Sequence, residues 1–218
     1  MAAVIFPAQT AHMASAKFLA GEACLDFVNT LSGRGVAGAR DRLVDYADLL
    51  AWAFRAGMLD EARAGRLSRR AVAKPEKAAR AVERGREMRE AMHNVFAAVA
   101  RGGMPSPEAL ASFNAALGRA GKRATLAPAS TGFAWRWEHD ALESPLWAIA
   151  HEGAEVLTGA ELGRLKECGG HACGWLFIDR SKNGSRRWCE MEICGNRAKA
   201  RRFLAKRAAG GNDEAEKS

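Results

Sequence analysis

Glu167-Cys168-Gly169-Gly170-His171-Ala172-Cys173-Gly174-Trp175 and, beyond a loop rich in Gly, Trp and Arg, Trp188-Cys189-Glu190-Met191-Glu192-Ile193-Cys194-Gly195-Asn196-Arg197 hold four of the chain's five cysteines, in two pairs of identical spacing. Four thiolates so placed can enclose one zinc ion. A closed tetrahedral set leaves no coordination position for water or substrate, so the segment reads as a structural metal site in a binding module. Gly169, Gly170 and Gly174 permit the tight turns in which backbone N–H groups face thiolates. A chance pairing or a redox couple is the competing reading. Redox pairs ordinarily use a two-residue spacing, and matched pairs flanking a hairpin favour metal. His171 is the rival ligand nearby and reads as a surface or supporting residue; Cys24, alone in an apolar run, reads as a small core residue.

Working outward, Leu162 to Glu167 reads as a short extended lead, Trp175-Leu176-Phe177-Ile178 as a strand, Asn183-Gly184 as a turn and Arg186-Arg187-Trp188 as a returning strand. Cys194 then opens a helix rich in Lys and Arg, with Phe203 and Leu204 expected to anchor it against the hairpin. Knuckle, hairpin and second ligand pair at a helix start make a treble-clef-like order. The module is poor in apolar residues, so metal binding is expected to supply much of its folding free energy.

The charge is unevenly spread. Residues 164–207 carry twelve Lys/Arg against four Asp/Glu, a net of +8, and the whole 218-residue chain is also +8. A tetrathiolate zinc centre, at about −2, trims this field without reversing it, and the expected partner is a polyanion.

With 48% apolar residues the rest of the chain can bury a core. Its apolar runs are too short to span a bilayer, no signal peptide or anchor is expected, and clustered cysteines without a secretory signal point to the cytoplasm. Leu43, Ala47, Leu50, Phe54 and Met58 recur at helical spacing up to Gly57-Met58; Pro75 opens a longer helix to about Ala100, and Pro107 to Leu117 forms a third. Residues 123–139 alternate as a β-hairpin, and Ser144-Pro145 caps a helix that ends at Gly159. The expected fold is mainly α, a multihelical N-terminal domain with a small β-hairpin plus a small C-terminal treble-clef-like zinc finger. Its boundaries are 1–160, 161–208 and a disordered tail, 209–218.

At these residues the chain resembles a known family. Cys168-x4-Cys173-Gly-Trp-Leu-Phe, Asn183-Gly-Ser-Arg-Arg-Trp-Cys189-x-Met191 and Cys194-Gly-Asn-Arg197-x-Lys199 resemble the CGNR zinc finger. Leu25-Asp-Phe-Val-Asn-Thr30, Asp48-Leu-Leu-x-Trp52 and Leu146-Trp147 are similar to the ABATE domain that precedes that finger in bacterial proteins. The family is regarded as stress-induced transcription regulators, and the resemblance implies a zinc-bound finger proposed to contact DNA.

The residues alone point the same way. Arg197, Lys199, Arg201, Arg202 and Lys206 crowd one helix behind Asn196, and Lys182, Arg186 and Arg187 would add backbone contacts. Arginine forks suit phosphate oxygens and guanine edges, and neutralising about five phosphates gives a log–log salt slope near −4.5. A solvated basic helix is the bland alternative. One finger buries too little to select a site tightly, so a homodimer is the expected remedy, its surface supplied by the N-terminal domain. Asp26, Asn29 and Arg89, polar groups in apolar patterns, could line a pocket for a small-molecule effector; an internal Asp/Arg pair and an Asn cap is the structural alternative. An RNA-binding module or a zinc-stapled protein-interaction module remains a second reading. No nucleophile-and-base motif supports an enzyme.

Overall fold

The computed structural model describes residues 10–34, 36–137 and 140–210. In chain order it runs through helix α1 (Ala23–Val28), short strands β1 (Leu31–Ser32) and β2 (Arg40–Asp41), and helices α2 (Tyr46–Arg55), α3 (Glu61–Ala73), α4 (Pro75–Ala100) and α5 (Pro107–Gly121). The hairpin β3 (Thr125–Ala129) and β4 (Gly132–Arg136) leads to α6 (Ser144–Thr158), then β5 (Leu165–Glu167), β6 (Leu176–Ile178) and α7 (Asn196–Gly210). The protein is mainly α, with small antiparallel hairpins and a small C-terminal finger. Among the described residues no helix is long and apolar enough to cross a membrane.

Caps decide where the helices start. The apolar period begins at Leu43, yet α2 begins three residues later because Asp45 accepts from the Asp48 N–H (2.9 Å) and the Asp48 carboxylate accepts from the N–H of Asp45 and Val44. Pro75 stands at the first position of α4, where its missing N–H is not needed. Ser144, expected as a cap, lies inside the first turn of α6, with Glu143 before it. Helix α3 was not expected from the sequence. Asp60 caps it by accepting from the Arg63 N–H at 2.7 Å, and it buries only Ala64, Gly65 and Leu67, too thin a stripe to stand out among arginines.

Helix α4 is the axis of the core. Its buried stripe, including Ala81, Met88, Met92 and Val95, faces α5 and α6. Gly153 of α6 allows the close approach there, since a Cβ would sit 2.7 Å from Met92 Cε and 3.2 Å from Phe113 Cζ. The β3–β4 hairpin is pinned by Trp137, whose Nε1–H donates to the Ala120 carbonyl at 3.1 Å.

Buried residues of the core continue past residue 160. Leu176 and Phe177 of β6 are fully buried in one cluster with Leu25, Phe27 and Val28 of α1. One edge of β6 pairs with β5, Leu165 opposite Ile178 and Glu167 opposite Leu176. The other edge is satisfied by the N-terminal segment: the Ile178 N–H donates to the Ala20 carbonyl at 2.8 Å, and Asn29 both donates to the Leu176 carbonyl (2.9 Å) and accepts its N–H (3.0 Å).

Helix α1 is held at its start by Glu152, which accepts the Ala23 N–H at 2.8 Å. Burial raises the Glu152 carboxyl from 4.5 to about 7, against the pull of that N–H and with the Glu22 carboxyl adding to the rise. The folded pKa exceeds the unfolded one, so the native state binds the extra proton and stability falls as pH climbs from about 4.5 to about 7. Glu152→Gln is therefore expected to gain stability over the parent protein between pH ~5 and ~8. Thermal melts of the zinc-loaded proteins check this; a difference that stays constant with pH contradicts it.

Candidate metal centre and nucleic-acid interface

The β5–β6 hairpin carries the first cysteine pair at its tip. The Cys168 N–H closes onto the Trp175 carbonyl at 2.8 Å, the Cys173 N–H onto the Gly170 carbonyl at 3.1 Å, and Gly174 takes a φ of +65°. A Cβ on Gly170 would stand 3.0 Å from Cys194 Sγ and 3.3 Å from Cys168 Sγ, so only glycine lets the two knuckles close. The loop that leads to the second knuckle is fixed by Asp179. Its fully buried carboxylate accepts from Lys166 Nζ (2.7 Å), the Ser181 hydroxyl (2.5 Å) and the Arg186 N–H (2.9 Å), which hold it well below the ordinary carboxylate range.

The four sulfurs converge. Cys168, Cys173, Cys189 and Cys194 have Sγ atoms within 4.8 Å of one another, with Cys173–Cys189 at 3.7 Å and Cys189–Cys194 at 3.6 Å. Zn–S bonds of about 2.3 Å give a tetrahedron whose edges are about 3.8 Å, so the cluster fits zinc and forms a zinc-binding site. The N–H groups of Gly170 and Cys189 point at Cys168 Sγ at 3.4 and 3.3 Å, the support a tetrathiolate needs. Crowding forbids four bare thiolates: hydrogen bonds from Cys173 and Cys189 lower the Cys168 thiol, while its ionisation raises Cys173 and Cys189. A dication removes that conflict.

From the centre the chain makes a π-type turn, Met191–Gly195, and passes into α7. A Cβ on Gly195 would stand 2.4 Å from Met191 Sδ, so a larger residue there would displace the Met191 side chain. Arg197, Lys199, Arg201 and Arg202 are all exposed. The family model described as "Putative stress-induced transcription regulator", ABATE, matches residues 21–160, and the CGNR zinc finger model matches 164–207. The chain belongs to the ABATE family. No curated protein matches it.

This ABATE protein departs from the sequence expectations at several residues. Arg186, expected on nucleic acid, is a structural brace: it donates to the carbonyls of Trp188 (3.1 Å), Cys189 (2.6 Å) and Leu19 (3.1 Å) and lies 4.2 Å over the Phe177 ring. These bonds also explain why 186–188 is not a strand. The Trp188 carbonyl goes to the guanidinium and the Arg187 carbonyl to the Gly169 N–H at 2.9 Å, and both edges of β6 are already taken. Asn196 donates to the Glu192 carbonyl at 3.0 Å, within its own turn. Phe203 and Leu204 are 60% and 63% exposed and do not anchor the helix on the hairpin; among the described side chains of α7 the buried one is Ala198. Lys182 and Arg187 are exposed, Arg187 standing 5.4 Å over Trp188. The side chain of Lys206 lies outside the described residues, as do residues 211–218 of the expected tail; α7 itself continues to Gly210.

Asp26, Asn29 and Arg89 do not converge. Asp26 accepts the N–H of Leu19 (2.9 Å) and Ala20 (3.0 Å), and burial raises its carboxyl to about 6. Asn29 is spent on β6. Arg89 grips Asp41 with both prongs at 2.6 Å and donates to Thr30 Oγ1 at 3.1 Å. None of the three lines the cavity of about 880 Å³ that opens beside Arg63, Trp135 and Ser144, so their polarity is architectural. Two residues were missed from the sequence. Arg40 and Arg42, on the β1–β2 hairpin, face the zinc knuckle across a groove, and only the three-dimensional fold brings them there.

Proposed function

We propose that this ABATE protein is a zinc-dependent transcription regulator of the cytoplasm that binds duplex DNA through the exposed face of α7, one structural zinc setting the helix in place. One contrast carries the reading. Several arginines of the N-terminal unit are ion-paired, among them Arg34 with Glu90, Arg84 with Glu143, Arg89 with Asp41 and Arg101 with Glu167. Arg197, Lys199, Arg201 and Arg202 have no carboxylate partner among the described residues. A cluster of unneutralised guanidinium groups on one helix suits phosphate oxygens. Four thiolates leave the metal no open position, so the role is binding and not catalysis.

Neutralising Arg201 and Arg202 together to Ala is expected to leave the fold intact and reduce the log–log salt slope of duplex binding by about 1.8. Circular dichroism and fluorescence anisotropy read both quantities. An unchanged slope overturns the assignment to α7. One observation favours a second reading: Phe203, exposed within the basic helix, offers a stacking face for single-stranded RNA. Tighter binding to single-stranded RNA than to duplex at matched salt selects that reading.

A further inference from the structure

Between the β1–β2 hairpin and the zinc knuckle runs a groove of about 420 Å³. Trp175 lines it, nine-tenths buried, and its indole Nε1–H is buried with no acceptor among the described residues. Arg42 lines it too. Its Nη1 donates to Ser32 Oγ at 3.2 Å, but its Nε–H is likewise buried with no acceptor. Buried donors in native proteins are almost always met. Two residues lining one groove thus carry buried donors that no acceptor among the described residues meets.

The charge around the groove selects the kind of acceptor. Arg40 comes from β2, Arg197 and Arg201 come from α7, and none of the three is ion-paired among the described residues. Glu190 is the one carboxylate among the lining residues, and Lys17 already holds it at 2.5 Å. Even after a tetrathiolate zinc centre contributes about −2, the lining stays positive. Such a setting takes a compact oxyanion that accepts several hydrogen bonds.

We propose that this groove is a phosphate-binding site built by both halves of the chain, and that it seats a backbone phosphate of bound nucleic acid. The source of the phosphate rests on the nucleic-acid reading; the site itself does not. The N-terminal unit thereby becomes part of the binding surface, with Arg40 and Arg42 facing the same strand as Arg197 and Arg201.

The test uses the full zinc-loaded chain, with the indole N–H resonance of Trp175 identified by its loss in Trp175→Phe. Inorganic phosphate is expected to shift that resonance saturably in the parent protein and not in Arg42→Gln. Duplex DNA is expected to shift it as well, and the exposed variant Arg40→Ala to lower the salt slope by about 0.9. Duplex binding with an unmoved Trp175 resonance and an unchanged slope in Arg40→Ala overturns the groove and leaves the nucleic-acid reading standing. A resonance moved by inorganic phosphate, in a protein that binds no nucleic acid, upholds the site as one for free phosphate and overturns its proposed source.

Discussion

Removing the metal, or replacing Cys189 by Ser, is expected to destabilise the helical unit along with the zinc segment. The sequence read as two domains predicts loss of the finger alone. The packing predicts otherwise, because β6 is a buried strand of the shared core whose outer edge is paired with Asn29 and Ala20. Further ties cross the same boundary: Arg180 donates to the Gly21 carbonyl at 2.7 Å, Arg101 clasps Glu167 at 2.6 and 2.9 Å, and Arg186 reaches the Leu19 carbonyl. Structural zinc contributes on the order of 10–16 kcal/mol of apparent binding free energy in isolated fingers. Transmitting even about 5 kcal/mol of that to the helical core lowers Tm by roughly 10–20 °C. Calorimetry with and without chelator checks this, and a helical transition that keeps its Tm in Cys189→Ser contradicts the shared core.

Arg89→Ala is expected to cost close to the lower end of the ~3–5 kcal/mol typical of breaking a buried ion pair. The Arg89 side chain is 3% exposed, whereas that of Asp41 is 31% exposed and so can recover some hydration once abandoned. Arg89 lies on α4 and Asp41 on β2, so the pair ties the hairpin that bears Arg40 and Arg42 to the central helix. The guanidinium overcomes the effect of burial and holds the Asp41 carboxyl below its ordinary value. That part of the stability is present above the unfolded carboxylate pKa and is lost as pH falls through the lower folded one. Chemical denaturation measures the loss, and the Asp41 titration followed by NMR should move upward in the variant. Arg89→Lys keeps the charge but not the two-pronged grip, and should fall between the two. A variant as stable as the parent protein, with Asp41 unmoved, contradicts the pairing.

What could be read in the sequence was what short-range chemistry dictates. The cysteine spacing placed four sulfurs within reach of one ion, Pro75 and a long apolar stripe marked α4, and alternation marked β3 and β4. What escaped depended on partners far along the chain. Arg186 looked like a phosphate contact until the carbonyls of Leu19, Trp188 and Cys189 were found around it. Arg89 reads as a polar group in an apolar pattern with an internal Asp partner, but that carboxylate is Asp41, which no periodicity singles out. Phe203 and Leu204 have the composition of an anchor, yet both stay largely exposed, Phe203 beneath the Arg207 guanidinium. Helix α3 escaped for the opposite reason: its cap is local and plain, but three small buried contacts give too weak a stripe.

The central claim is that zinc positions a basic surface for nucleic acid. Its most direct test is binding of the metal-analysed, zinc-loaded full chain to duplex DNA across a salt series, with single-stranded RNA alongside. The account predicts that log K falls linearly with log salt, with a slope near −4.5 for about five phosphates neutralised. Absent or salt-insensitive binding to both polyanions, by protein that carries its zinc, would contradict it.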